Sequence, residues 1–186
     1  MVHPYPSDRL GAQCWARALL DRADWVILDT ETTGLDASAS VVQVGVLAPS
    51  GAVLFDSLVQ SRSRIPSDAS AIHGITNAMV ADAPSFREVH EQLTHLLGDQ
   101  LVVCYNAEFD RRLLRQSGRP DGLVVPGRAW ECAMEQYARY LGNWSPTHRS
   151  YRFTRLPDLT GGELRRHQAI GDCRATLAVI QRMASE

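Results

Sequence analysis

The 186-residue sequence predicts an α/β domain in which helices pack on a mixed sheet. Three short apolar, β-branched runs follow one another before residue 60, separated by polar turns, as in an antiparallel meander. After them, apolar runs alternate with segments of helical period, which adds helices and further strands to that sheet. Hydrophobic residues are 45% and charged residues 22%, enough apolar material for one sizeable core and no bias toward disorder.

Ser7 and Asp8 are expected to cap a first helix running to about residue 24, with Leu10, Cys14, Trp15, Ala18 and Leu19 on its packed face. Residues 1–24 are thus a helical extension within a single domain spanning 1–186. WVILD (25–29) reads as a buried strand. VVQVGVLA (41–48) and AVLFDSLVQ (52–60) read as the next two, joined by the turn Pro49-Ser50-Gly51. Residues 65–83 carry no regular period. Pro84 opens a helix with the stripe Phe86, Val89, Leu93, Leu96 and Leu97, closed at Gly98. LVVCY (101–105) is a fourth strand, followed by a helix over 107–116 that stops before Gly118. A short strand at 128–131, a helix to about Leu141, an Arg- and aromatic-rich irregular stretch, and a helix over 168–183 complete the chain.

The formal net charge of −2 provides no global positive field for coating nucleic acid, although bound cations can supply positive charge locally. Cys14, Cys104, Cys132 and Cys173 are scattered, without the clustering of a zinc site, and are expected to be reduced and mostly buried. The N-terminus lacks a secretory pattern, and no apolar run approaches the roughly 18 residues of a membrane span. A reducing cytoplasm and no membrane partner are the expectation.

Asp29-Thr30-Glu31 closes the first strand. Residues two apart on a strand project from one face, so both carboxylates can address one point, where a cation or proton must offset their repulsion. Thr32-Thr33-Gly34 adds hydroxyls and open backbone beside them, suited to a phosphate or sugar. In Asn106-Ala107-Glu108-Phe109-Asp110, Asn106 and Glu108 read as helix-start residues, whereas Asp110 lies near the packed Phe109 and Leu113. Asp172, Thr176, Val179 and Met183 share one face of the last helix, which directs Asp172 along a buried stripe. His167 stands just before that helix.

Taken in order, DTETTGL (29–35), NAEFD (106–110) and HQAIGD (167–172) resemble the three motifs of the DnaQ-like 3′→5′ exonucleases, in the subgroup with four acidic residues and a histidine (DEDDh). That family includes the proofreading subunit of bacterial DNA polymerase III. IHGIT (72–76) is similar to a family segment between the first two motifs, and the resemblance spans about residues 25–184. It implies a ribonuclease H-like fold, a five-stranded mixed sheet with helices on both faces. It further implies that Asp29, Glu31 and Asp172 hold one divalent ion, that Asp29 bridges to a second, and that Asp110 contributes through water. His167 would be the general base, and the ions Mg²⁺ or Mn²⁺. Leu35 would stack on the terminal base, and His73 would contact the terminal nucleotide; Thr32 and Asp68 are further candidate substrate-binding residues. Asp68 stands where proofreading relatives often have Glu, Tyr105 where His is common, and residues 130–159 match those relatives poorly.

The expected reaction is release of nucleoside monophosphates from 3′ ends, chiefly of single-stranded DNA, in proofreading or DNA repair. The motifs do not separate deoxyribose from ribose, which leaves an exoribonuclease or oligoribonuclease as an alternative. A non-catalytic nucleic-acid-binding or polymerase accessory module is the alternative of another class. The last helix is expected to run nearly to residue 186, and on that reading no clamp-binding tail is expected to support a polymerase partner. In residues 148–155, Arg149 and Arg152 alternate with Tyr151 and Phe153, either gripping a single strand or forming a solvated loop anchored by its aromatics.

Overall fold

A computed structural model describes residues 4–157 and 168–185. Strands β1 (Trp25–Thr32), β2 (Val41–Leu47) and β3 (Val53–Leu58) form the antiparallel meander expected from the three early runs. Beyond them, β4 (Leu101–Cys104) pairs parallel with β1, and β5 (Ala129–Cys132) parallel with β4. The five-stranded mixed sheet has the order β3-β2-β1-β4-β5.

Six helices, α1 (Pro6–Leu20), α2 (Ser67–His73), α3 (Phe86–Leu97), α4 (Ala107–Gly118), α5 (Ala133–Leu141) and α6 (Ala169–Ser185), are described. Strand alternation divides five of them between two cores, while Ala69 of α2 packs on a third, smaller cluster of Val42, Ile65, Ile75 and Val80. Trp25 and Ile27 pack with residues of α1, α5 and α6, whereas Val26 and Leu28 pack with α3 and α4. α3 begins at Ser85, whose side chain accepts from the Glu88 N–H while Glu88 answers the Ser85 N–H, a reciprocal capping box. Its stripe Phe86, Val89, Leu93 and Leu97 is buried.

The chain departs from expectation in four places. α1 is preceded by Tyr5, so Ser7 and Asp8 lie within its first turn, and the Asp8 carboxylate accepts from the Tyr151 hydroxyl instead of capping. The packed face of α1 is Ala12, Gln13, Ala16 and Leu19, because small side chains let it seat closely against its neighbours. That rotation leaves Leu10 and Cys14 exposed, while Cys104 and Cys173 are buried as expected. α2 was not anticipated: at seven residues it is too short to show a stripe and buries only His73, ending where Gly74 takes a positive φ of 76°. The Arg- and aromatic-rich stretch contains a two-stranded hairpin of β6 (Trp144–Ser145) and β7 (Ser150–Tyr151). It is held to α1 by edge-to-face contacts among Tyr5, Trp144 and Tyr151. Among the described residues, no helix is long and apolar enough to cross a membrane.

Candidate active site

The site forms where β1 outruns its neighbour. β4 pairs with β1 only through Ile27↔Val103, so Asp29–Thr32 continue past it, backed by β2 alone. Asp29 and Glu31 extend the face of Trp25 and Ile27, toward α6; Thr30 extends the opposite face, toward α4. Beyond the end of β4, the Thr30 N–H finds its acceptor in Asp110 Oδ1 at 3.1 Å, and the Thr30 hydroxyl donates to the same oxygen at 2.8 Å. The start of α4 thus brings Asp110 to the strand from one side of the sheet, while α6 brings Asp172 from the other.

α6 reaches that position because of Gly45, which faces Asp29 across the β1–β2 ladder. A β-carbon at Gly45 would meet the Ala169 carbonyl carbon and the Ile170 nitrogen at 2.9 Å each. One turn on, the buried Cys173 thiol points at the carbonyls of Ile27 and Gly45 at 3.7 and 3.6 Å. The helix therefore lies directly on the strand backbone, with Asp172 at its open end.

One carboxylate oxygen from each of Asp29, Glu31 and Asp172 lies within 4.8 Å of the other two. Ligand oxygens about 2.0–2.4 Å from a shared divalent ion can be no farther apart than that. Burial, followed by the charges of Asp110, Asp172 and Glu31, pushes the Asp29 carboxyl well above the usual carboxylate range. Glu31 is pushed up to about 8 by burial and then by Asp172 and Asp110. Asp110 is pushed up to about 7, chiefly by burial, against the opposing pull of the Thr30 hydrogen bonds. Glu31 is 8% exposed, and its buried Oε1 has no hydrogen-bond partner among the described residues. An oxygen-rich cluster whose charges repel and whose buried acceptor lacks a donor fits a hard divalent cation.

Beside the cluster opens a cleft of about 460 Å³, lined by Thr32, Leu35, Asp68, His73, Phe109 and others. Leu35 stands at its edge, 77% exposed. Asp68 is exposed on α2, and the Thr32 hydroxyl donates to the Gly34 carbonyl. His73 is buried: its Nδ1 accepts from the Ile75 N–H, which puts the ring proton on Nε2, 3.2 Å from the Thr32 carbonyl. Arg149 and Arg152 are exposed on and after the β6–β7 hairpin, Arg149 with a φ of 51°. Tyr105 is buried, and its hydroxyl donates to the Thr154 carbonyl at 2.9 Å. His167 lies outside the described residues.

Three residues that shape this site carried no role in the sequence reading. Thr30 was legible only as the middle of an acidic pair. Gly45 had a signal, a lone glycine inside a valine-rich strand, which marks close backbone approach. Arg112 donates to the carbonyls of Leu35 and Asp36 in the loop after Gly34, contacts that sequence spacing does not reveal.

Comparison with known proteins gives a consistent result. The model of a family described as exonuclease matches residues 26–180. The exonuclease CP81 of Escherichia phage 186 is 34% identical over 172 residues, 87% of this chain and 88% of that protein. Exodeoxyribonuclease 10 of Escherichia coli K12 is 33% identical over 161 residues, 83% of this chain and 66% of that protein. Among solved structures, Exonuclease X in complex with 5′-overhanging duplex DNA superposes with a TM-score of 0.59 at 33% identity, covering 86% of this chain and 90% of that one.

Proposed function

The chain belongs to the exonuclease family, with a ribonuclease H-like fold, and from that premise we propose that it removes nucleoside monophosphates from the 3′ ends of DNA, single-stranded ends foremost, by two-metal hydrolysis. The observation that carries this reading is the convergence of Asp29, Glu31 and Asp172 beside a cleft of single-nucleotide scale. Asp29, Glu31 and Asp172 would hold a divalent ion, Mg²⁺ or Mn²⁺, Asp29 would serve a second ion as well, and Asp110 would contribute through water. When bound, the ions offset the charge of the phosphodiester and of its leaving oxygen. Thr30 keeps Asp110 oriented by its two hydrogen bonds. His167 takes the proton from the attacking water, a task suited to a side chain that titrates near neutral pH. Leu35 and Phe109 confine the terminal base, and Thr32, held from beneath by His73, faces the sugar together with Asp68. Arg149 and Arg152 add phosphate contacts farther along the strand. DNA as substrate is supported by the name of Exodeoxyribonuclease 10 and by the DNA complex of Exonuclease X.

The deciding experiment offers purified protein single-stranded DNA, duplex DNA and short RNA, each labelled at the 5′ end, with Mg²⁺, Mn²⁺ or EDTA. A ladder of products shortened from the 3′ end, fastest on single-stranded DNA and absent in EDTA, is expected. Preference for RNA would move the protein to the exoribonucleases, and intact substrate throughout would overturn the reading.

A further inference from the structure

We infer that Arg112 is a positioning residue that sets the width of the nucleotide cleft by clamping the loop carrying Leu35, an inference that rests on the exonuclease reading above. The loop at residues 34–39 follows the acidic pair and presents Leu35 to solvent at the edge of the cleft. Nothing apolar in its own sequence anchors it until Ala39. Its carbonyls are gathered instead by one face of α4. Arg112 donates through Nη2 to the Leu35 carbonyl at 3.2 Å and through Nη1 to the Asp36 carbonyl at 3.4 Å. Gln116, one turn on, donates to the carbonyls of Asp36 and Ala39 at 3.1 and 3.0 Å, and its side-chain oxygen accepts from Arg112 Nη1 at 2.8 Å. The guanidinium also lies over the Phe109 ring, 5.3 Å from its centroid.

Phe109 and Leu35 both line the cleft. Arg112 therefore ties one wall, the Leu35 loop, to the other, the first turn of α4, whose next residue is Asp110. A planar fork can hold two carbonyls and stack on a ring at once, which an ammonium cannot do. The clamp fixes where a base between Leu35 and Phe109 stands relative to the carboxylates. Its loss should weaken the grip on substrate while leaving the carboxylates in place.

The test compares wild type with Arg112→Ala, Arg112→Lys and Arg115→Ala; Arg115 is exposed on the same helix and lines no part of the cleft. Kinetics on a 5′-labelled oligonucleotide are read alongside melting temperature and amide exchange at Thr33, Ser38 and Ala39, whose N–H groups bond within the loop. Arg112→Ala should raise KM roughly tenfold, the worth of one charge-assisted hydrogen bond, with kcat changed less than about twofold. Arg112→Lys should fall between, Arg115→Ala should match wild type, and loop exchange should accelerate only in the Arg112 variants. Unchanged KM and unchanged exchange in a folded Arg112→Ala would overturn the clamp, as would a loss confined to melting temperature and kcat. If Arg112→Ala does not fold, Arg112→Lys decides by the same two readouts. A wild-type protein inactive on every nucleic acid would overturn the exonuclease reading instead, while the exchange measurement would still judge the clamp.

Discussion

Gly45 and Ala169 meet so closely that a β-carbon on Gly45 would stand 2.9 Å from the Ala169 Cβ. Gly45 also faces Asp29 in the β1–β2 ladder, so the space it leaves free brings the start of α6, and with it Asp172, down beside Asp29. The acidic cluster depends on a missing side chain as much as on the carboxylates.

Gly45→Ala should therefore push α6 away from the strand. Overpacking of this kind costs about 1–3 kcal/mol. Displacement of a ligand by about 1 Å should lower turnover on the order of 10²-fold. Melting curves and single-turnover rates together check this. A variant with wild-type rates would show that α6 absorbs the methyl group without moving Asp172.

Removing metal ligands and removing the base should have different signatures. Asp29→Ala and Asp172→Ala should abolish cation binding measured by calorimetry, along with activity. His167→Ala should bind cation normally while losing a factor on the order of 10²–10⁴ in rate, the usual contribution of a general base. Equal loss of cation affinity in His167→Ala and Asp29→Ala would place the histidine among the ligands.

Thr30→Val tests the support of Asp110. The backbone bond remains and the hydroxyl bond at 2.8 Å is lost. A hydrogen bond to an ionised group contributes about 1.5–3 kcal/mol, so turnover should fall roughly tenfold or more. Because that bond favours the ionised form, its loss raises the Asp110 pKa further, and the acid limb of the pH–rate profile should move to higher pH. Superimposable profiles for variant and wild type would remove Asp110 ionisation from the rate.

The metal-free protein should become less stable as pH rises. Glu31, up to about 8, and Asp110, up to about 7, hold protons in the folded state that the unfolded chain releases at ordinary carboxylate pKa values. The unfolded state then binds fewer protons, and stability declines with pH across that interval. This contribution is fully present below about pH 4, the unfolded carboxyl range, and is lost once pH has risen through the folded values. Melting temperatures in EDTA should fall between pH 5 and pH 8, and saturating Mg²⁺ or Mn²⁺ should reverse the trend. A flat or rising profile in EDTA would contradict the packing of these carboxyls.

By itself the sequence showed the succession of β1 to β5 and of every described helix but α2, because strand alternation and helical period are local properties of the chain, while Asp29, Glu31, Asp110 and Asp172 were singled out by the family motifs that contain them. The α3 stripe was equally legible, being a repeat confined to one helix. Local pattern misled at α1, where several apolar faces competed and contact with α5 and α6 selected the one built from small residues. It was silent at α2, which is too short to show a period. Only the tertiary structure decided that β4 stops short of β1, freeing the Thr30 N–H for Asp110, that Gly45 lets α6 approach, and that Arg112 reaches back across 77 residues to the Leu35 carbonyl. Those contacts join residues far apart in the chain, and their geometry follows from how whole elements pack rather than from any stretch of sequence alone.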